Sequence, residues 1–159
     1  NPLVIRMAGF FGGGALDKNF VGRIIPAMHR AMLRGDAVFP VGDRVWQPTW
    51  TRDLADNALH LMQLDAGGAY QMGSHGEATF HEVAAEIVAA LGWTGRLRVE
   101  PVSSALVAQE ETGPERRPDR AVLSCERLRR EGRDLQRDWR ATLHAYLTHP
   151  HFDQYRPGV

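Results

Sequence analysis

A single cysteine, Cys125, leaves this chain unable to close an internal disulfide or to build a thiolate metal site by itself. Lysine is equally scarce: Lys18 stands alone, arginine supplies every other basic position, and lysine-dependent chemistry has one candidate. Neither sign of charge is in excess. Nineteen basic residues meet nineteen acidic ones for a formal net charge of zero, so there is no overall field to hold a polyanion, which argues against nucleic acid as a partner. No apolar run approaches the roughly 20 residues that a spanning helix needs, and the first residues lack the basic-then-apolar plan of a secretion signal. The expectation is a soluble, untargeted chain with no membrane partner, in a reducing cytoplasm. Internal repeats and low-complexity segments are also missing.

What is present is balanced. A chain of 159 residues, 43% hydrophobic and 24% charged, fits one globular domain, or a large piece of one, with a core of ordinary size. Leu3, Val4, Ile5 and Met7 form a short apolar run closed by Gly9 and the cluster Gly12, Gly13 and Gly14, which reads as a buried strand feeding a loop. Asn19 stands where a cap belongs. The helix it opens, over 20–34, carries Phe20, Ile24, Ala27, Met28 and Ala31 at three- and four-residue spacing, with Pro26 as a kink and Gly35 as its end. A strand over 38–41 and an extended stretch over 45–50 lead to a helix capped by Thr51 or Asp53, with Leu54, Ala55, Ala58, Leu59 and Met62 on one face. A strand over 69–72 precedes a helix opened by Thr79, with Val83, Ile87, Ala90 and Leu91 inward. Residues 96–102 alternate like a strand, and 110–119 read as a polar loop. A core segment at Ala121, Val122 and Leu123 follows, then a short helix capped by Ser124 and a last helix from Asp138. Residues 149–159 read as a frayed tail, which leaves 1–148 as the domain. Alternating strands and helices predict an α/β fold: parallel strands from the edge of a doubly wound sheet, plus a small α+β lobe.

Several groups suggest chemistry, each with a plainer reading beside it. The histidines are scattered, and only His149 and His151 in the tail approach metal-ligand spacing. His75 and His81 flank Glu77 and Glu82 around a helix start, which suits acid–base work or simple capping. Cys125 sits one residue past a cap, where a thiol pKa falls, but no base is implied nearby. Gly9, Gly12, Gly13 and Gly14 follow a strand as a phosphate loop does. Their order lacks the spaced dinucleotide fingerprint and the lysine–serine pair of a triphosphate loop, and the glycines could equally just let the chain turn.

Three stretches, taken in order, resemble one family. Arg6-Met7-Ala8-Gly9-Phe10-Phe11-Gly12, Lys18-Asn19-Phe20-Val21 and Gln47-Pro48-Thr49-Trp50-Thr51-Arg52-Asp53-Leu54-Ala55 are similar to the second half of dTDP-4-dehydrorhamnose reductases, which are extended short-chain dehydrogenase/reductases. The likeness continues through Gly68-Ala69-Tyr70-Gln71-Met72-Gly73-Ser74, the helix over 80–91 and Arg117-Pro118-Asp119-Arg120-Ala121-Val122-Leu123-Ser124, reaching about Leu147. In such reductases a glycine-rich turn near the N-terminus holds the dinucleotide and a Tyr-x-x-x-Lys pair moves the proton. This sequence has neither, because Gly14 stands four residues before Lys18, its only lysine.

The resemblance therefore implies the C-terminal half of a Rossmann-like reductase, with the missing N-terminal half as its partner and a homodimer left open. The reaction implied is 4-keto reduction of a dTDP-deoxysugar with NADPH or NADH, the cofactor being held mainly by the other half. For this half it implies a lobe closing over a sugar nucleotide: Gly9, Phe10, Asn19, Phe20, Gln47 and Thr49 bind substrate, and Ala8 lies beside the cofactor. Such residue types suit that task. Backbone amides at a helix start favour phosphate, amide and hydroxyl groups bond sugar hydroxyls, and aromatic faces stack on a base. Asp53 reads as a helix cap rather than a ligand. The chain also departs from the family. Gly9 and Phe11 stand where a tryptophan and a tyrosine are usual, and Ser124 and Arg127 replace an aspartate and a lysine, so a different deoxysugar nucleotide is compatible. A non-catalytic binding or regulatory protein on the same scaffold, or a related epimerase or dehydratase, are the other readings.

Overall fold

In a computed structural model, which describes residues 2–103 and 118–158, the chain opens with β1 (Leu3–Met7), β2 (Phe10–Phe11), a 3-10 turn (Gly14–Leu16) and α1 (Phe20–Leu33). There follow β3 (Val38–Gly42), β4 (Val45–Trp46), β5 (Thr49–Trp50), α2 (Thr51–Gln63), β6 (Gly68–Met72), β7 (Ala78–Thr79) and α3 (Phe80–Ala90). Then come β8 (Arg98–Val102), β9 (Arg120–Ala121), α4 (Glu126–Arg130), α5 (Trp139–Leu147) and a closing 3-10 helix (Pro150–Tyr155). Residues 104–117, which hold most of the loop expected over 110–119 and the Arg117 that opens the last resembling stretch, lie outside the described residues.

β1 and β6 pair in parallel with Leu3 opposite Gly68 and Met7 opposite Met72. Leu3 and Ile5 of this pair pack with Leu54, Leu61, Tyr70, Met72, Cys125 and Leu128 into a small core under α2 and α4. Val4 and Met7 remain exposed; three residues apart on a strand they point to opposite faces, so the face opposite Leu3 and Ile5 presents Val4 to solvent. Parallel sheets are ordinarily covered on both faces. The larger lobe is built around α1, α3 and α5, whose Val21, Ile25, Met28, Val83, Ile87, Trp139 and Leu143 close a second core with Trp46 and Trp93. Around it β3 runs parallel to β8, β2 parallel to β5, and β4 lies between an antiparallel β7 and a parallel β9. A parallel α/β sheet edge beside an α+β lobe is thus what the sequence folds into, the lobe being the larger part and not the small one expected.

α3 opens on a capping box: the Thr79 hydroxyl accepts from Glu82 N–H and the Glu82 carboxylate accepts from Thr79 N–H at 2.7 Å, satisfying two donors that a helix start leaves orphaned. Asp138 caps α5 in the same spirit, accepting from the Arg140 and Ala141 amides. Other expected caps are corrected. Asn19 occupies the cap position of α1 without a side-chain bond, Trp50 rather than Thr51 or Asp53 precedes α2, and Cys125 rather than Ser124 precedes α4.

The inner face of α2 is also shifted. Asp53, Leu54, Asn57 and Leu61 are buried while Leu59 and Met62 stand exposed. The polar pair turns inward because residues 133–137 satisfy it: Asn57 Nδ2 donates to Arg133 O at 2.8 Å and its Oδ1 accepts from Leu135 N–H at 3.0 Å. Arg137 clamps both oxygens of Asp53 at 2.9 and 2.6 Å. The Ala121–Leu123 segment is not core, since Ala121 is exposed and its two neighbours are half-buried. Nor is the tail frayed. Phe152, 2% exposed, meets the Tyr146 ring edge-on at 4.9 Å, and Trp93 Nε1 donates to Tyr155 O at 2.7 Å. Aromatic burial at two positions three residues apart anchors what polar neighbours disguise.

Tyr146 joins the tail to the glycine loop, its hydroxyl accepting from Gly14 N–H at 2.9 Å. Burial first, and then the neighbouring Asp17 carboxylate, push this phenol up to about 12. A proton held more tightly by the folded chain contributes stability below the unfolded value of about 10, and that stability drains away as pH rises toward about 12. Tyr146→Phe should cost about 1 kcal/mol near neutral pH through the unpaired Gly14 amide. Denaturant melts from neutral into alkaline pH should show the wild type losing stability faster than the variant above pH about 10. Parallel curves would rule this linkage out.

Candidate functional site

A cleft of about 980 Å³ opens where β1 ends and α1 begins. Gly9 and Phe10 line its strand end, Asn19 and Phe20 its helix start, and Arg23, Ala27 and Arg30 continue down one face of α1. The 20, 23, 27, 30 spacing is a single helical stripe, about 15 Å long at 1.5 Å per residue. Lys18 and Arg44 complete a lining with four cationic side chains and, among the described residues, no carboxylate. Aromatic rings close the strand end: Trp46 stacks on Phe80 at 5.1 Å, and Phe20 meets both, at 5.9 Å from Trp46 and 4.5 Å from Phe80. One end of the cleft is therefore flat and apolar and its length is positive, a combination that fits a ligand bearing both a ring and phosphate.

The structure brings four of the six expected substrate residues together here: Gly9, Phe10, Asn19 and Phe20. Gln47 and Thr49 are not among the residues that line the cleft, although Gln47 follows Trp46 and Thr49 N–H bonds Gly9 O at 3.1 Å. They are 3% and 0% exposed, and every strong bond they make is internal. Gln47 Nε2 donates to Ser74 O at 2.7 Å while its Oε1 accepts from Leu123 N–H at 3.1 Å. Thr49 Oγ1 donates to Gln47 O and accepts from Ser74 N–H, both at 3.0 Å. One donor and one lone pair of that amide remain, but the side chain is almost wholly buried and is not among the residues that line the cleft. Ala8 is buried at the end of β1 with its N–H bonded to Met72 O at 2.9 Å, so its amide is closed to a cofactor. Lys18, Arg23, Arg30, Arg44, Trp46 and Phe80 are the lining residues that sequence reasoning passed over. The arginine stripe on α1 was the available signal, but charges on a helix ordinarily mark only a solvated face.

The glycine loop is not an anion nest. Gly12 N–H donates to Asp17 Oδ2 at 3.0 Å and Asn19 N–H to Asp17 Oδ1 at 2.9 Å, while Gly14 N–H is held by Tyr146. The chain's own carboxylate sits where a phosphate would have to sit. Gly12, Gly13 and Gly14 have φ of +142°, +101° and +56°, the left-handed conformations that wrap the loop around Asp17 and that glycine adopts freely. Gly22 permits the wrap, because a Cβ there would lie 2.1 Å from Asp17 O.

The remaining candidates are engaged separately. His75 pairs with Asp134 at 2.9 Å, His81 bonds Val99 O at 3.3 Å, Glu77 pairs with Arg120 and Glu82 serves the α3 cap. His149 Nδ1 accepts from His151 N–H, and no metal-binding group of three or more ligands occurs among the described residues. Burial raises the Cys125 thiol above its ordinary value, the opposite of activation. Asp53 is neither a cap nor a ligand but the partner of Arg137.

The family described as RmlD substrate binding domain matches residues 1–151. The chain belongs to that family. Among curated relatives of this RmlD-type domain, it is 34% identical over 145 residues to a dTDP-4-dehydrorhamnose reductase of Streptomyces griseus, covering 88% of this chain and 44% of that protein. It is 32% identical over 140 residues to a dTDP-4-keto-6-deoxy-D-glucose reductase of Streptomyces niveus, covering 88% and 45%. The chain thus spans about half the length of the curated relatives it matches. Among solved structures, the dTDP-4-dehydrorhamnose reductase of Clostridium acetobutylicum superposes with a TM-score of 0.73 at 26% identity, over 92% of this chain and 48% of that one. That of Yersinia enterocolitica superposes at 0.75 with 21% identity, over 96% and 50%, which speaks for the fold alone.

Gln47→Ala in this RmlD-type domain should lower stability by about 2–3 kcal/mol, because it strands the Ser74 carbonyl and the Leu123 amide and leaves a void. Calorimetric melting should show a Tm lower by about 5–10 °C. An unchanged Tm with weakened sugar-nucleotide binding would return Gln47 to the cleft.

Proposed function

We propose that this chain is the sugar-nucleotide-binding half of an NAD(P)H-dependent reductase that converts the 4-keto group of a dTDP-deoxysugar to an alcohol. The observation that carries the reading is the cleft: Lys18, Arg23, Arg30 and Arg44 in a lining that includes no carboxylate among the described residues, and an aromatic end beyond the carboxyl ends of the strands, where open α/β sheets bind ligands. Membership of a substrate-binding family whose relatives are named as sugar-nucleotide reductases supports it. The likeness to a Bacillus anthracis dTDP-4-dehydrorhamnose reductase solved with NADP, at 20% identity, adds the fold.

In this reading the cationic stripe holds the diphosphate, and the Phe10, Phe20 and Phe80 rings flank the sugar and exclude water from it. Neutralising two phosphate charges at fixed positions orients the sugar toward the end of β1. A nicotinamide cofactor would supply the hydride, and the proton would come from the half of the fold that this chain does not contain. Ala8, its amide already taken, would meet the cofactor only as a small buried surface at the strand end. The exposed face of β1 that carries Val4, opposite Leu3 and Ile5, is the surface on which that other half would dock. By itself the chain should neither hold a dinucleotide tightly nor turn over.

The test is turnover in the reductase that contains this chain. NADPH oxidation should depend on a dTDP-4-keto-6-deoxysugar. Arg23→Ala or Arg30→Ala should raise KM about tenfold, given roughly 1.4 kcal/mol per decade and about 1.5–3 kcal/mol for a bond to a charged group. kcat should change little, since a uniform binding interaction is being removed. Interconversion of sugar epimers without net NADPH consumption would instead identify an epimerase. KM values insensitive to both arginines would take the nucleotide out of this cleft.

A further inference from the structure

Gly9 has an ordinary backbone conformation, so conformational freedom does not explain a glycine there. Space does. A Cβ at position 9 would lie 2.7 Å from Trp46 Cε3, 3.3 Å from Cζ3 and 3.9 Å from Cδ2. The benzo ring of Trp46 therefore occupies the volume into which any side chain on Gly9 would project. That ring is held on its other sides by Phe80, nearly parallel at 21°, and by Phe20, edge-on at 77°. The residue is 6% exposed, it lines the cleft, and its Nε1–H is buried with no acceptor among the described residues. Buried donors of this kind are rare unless a group from outside the chain completes them.

Resting on the sugar-nucleotide reading above, we propose that Gly9 and Trp46 form a size-complementary pair that determines which sugar the cleft accepts: the indole, seated over Gly9, sets the depth of the sugar end. The polarity of the cleft decides which end that is. Lys18, Arg23 and Arg30, three of the four lining cations, lie at the start and along one face of α1, whereas Gly9, Phe10, Trp46 and Phe80 bring the apolar and aromatic surface together at the strand end, with Arg44 beside Phe80, whose N–H bonds Arg44 O at 3.0 Å; the diphosphate therefore belongs to the first and the sugar to the second. The indole's position is reached from β4, across the cleft from β1. A methyl group on residue 9 must push the ring toward the sugar, and removal of the ring must deepen the end.

The experiment compares calorimetric binding of dTDP and of dTDP-glucose, the same nucleotide without and with a hexose, by the wild type, Gly9→Ala, Trp46→Phe and the exchange variant Gly9→Trp/Trp46→Gly. Wild type should bind dTDP-glucose more tightly than dTDP. Gly9→Ala and Trp46→Phe should each erode that preference about three- to tenfold, roughly 0.7 to 1.4 kcal/mol, while leaving dTDP affinity within about twofold. The exchange variant should regain part of the preference, because an indole rooted at position 9 would fill the space vacated at 46. Should the exchange variant not fold, Gly9→Ala decides alone, since it removes no atom and no hydrogen bond. Equal losses for both ligands, or no loss in either single variant, would show Trp46 to be packing only and overturn the proposal while leaving the sugar-nucleotide reading intact. Wild type that binds neither ligand would overturn that reading, and the proposal with it.

Discussion

Everything at this site hangs from the buried side-chain amide of Gln47. Its nitrogen donates to the segment after β6, at Ser74 O, and its oxygen accepts from the segment after β9, at Leu123 N–H. Thr49 ties the same knot from the next residue but one, and its own N–H bonds Gly9 O at 3.1 Å. Four chain segments from both parts of the structure thus meet at one polar cluster. Gly73 is bare for this reason: a Cβ there would lie 2.5 Å from Gln47 Oε1. Buried amides satisfied at both ends cost little and fix geometry, because alternatives leave polar groups unpaired. The β1–β6 sheet fragment and the helical lobe are held at the register that places Gly9 beside Trp46 and both beside α1.

The second constraint is electrostatic and works by exclusion. Asp17 fills the glycine loop with the chain's own negative charge, so a ligand phosphate finds the loop's amides occupied and a carboxylate in front of them. The cationic stripe of α1, a few residues further on, offers the opposite field. One loop thereby does two things. It starts α1 at a fixed angle, and it keeps the loop's own amides occupied, so that the positive lining lies along the helix and not in the loop.

How much of this could be read from the sequence depends on whether a residue's role is local. Thr79 with Glu82 three residues on, the apolar recurrence through Phe20 and Met28, and the strand-sized runs at 3–7 and 69–72 are local patterns, and the fold follows them. Gly9, Phe10, Asn19 and Phe20 reach the cleft because they sit at a strand end and a helix start, which are positions a sequence marks. Gln47 is the opposite case. An amide suits a sugar hydroxyl and a backbone carbonyl equally, and only the partners at Ser74 and Leu123, 27 and 76 residues away, decide between them. Asp53 misled in the same way, since the inward turn that it shares with Asn57 depends on residues 133–137. Trp46 gave no local hint at all, because its meaning lies in the missing Cβ of Gly9.

The central claim is that a sugar nucleotide lies along α1 with its diphosphate on the cationic stripe and its sugar against the Gly9–Trp46 end. A crystal structure with dTDP-glucose tests it most directly. The account predicts diphosphate oxygens bonded to at least two of Lys18, Arg23, Arg30 and Arg44, the hexose beside Trp46 and Phe10, and Gln47 still bonded to Ser74 and Leu123. A diphosphate seated instead in the Gly12–Gly14 loop with Asp17 displaced, or a hexose held by a turned-out Gln47, would contradict it.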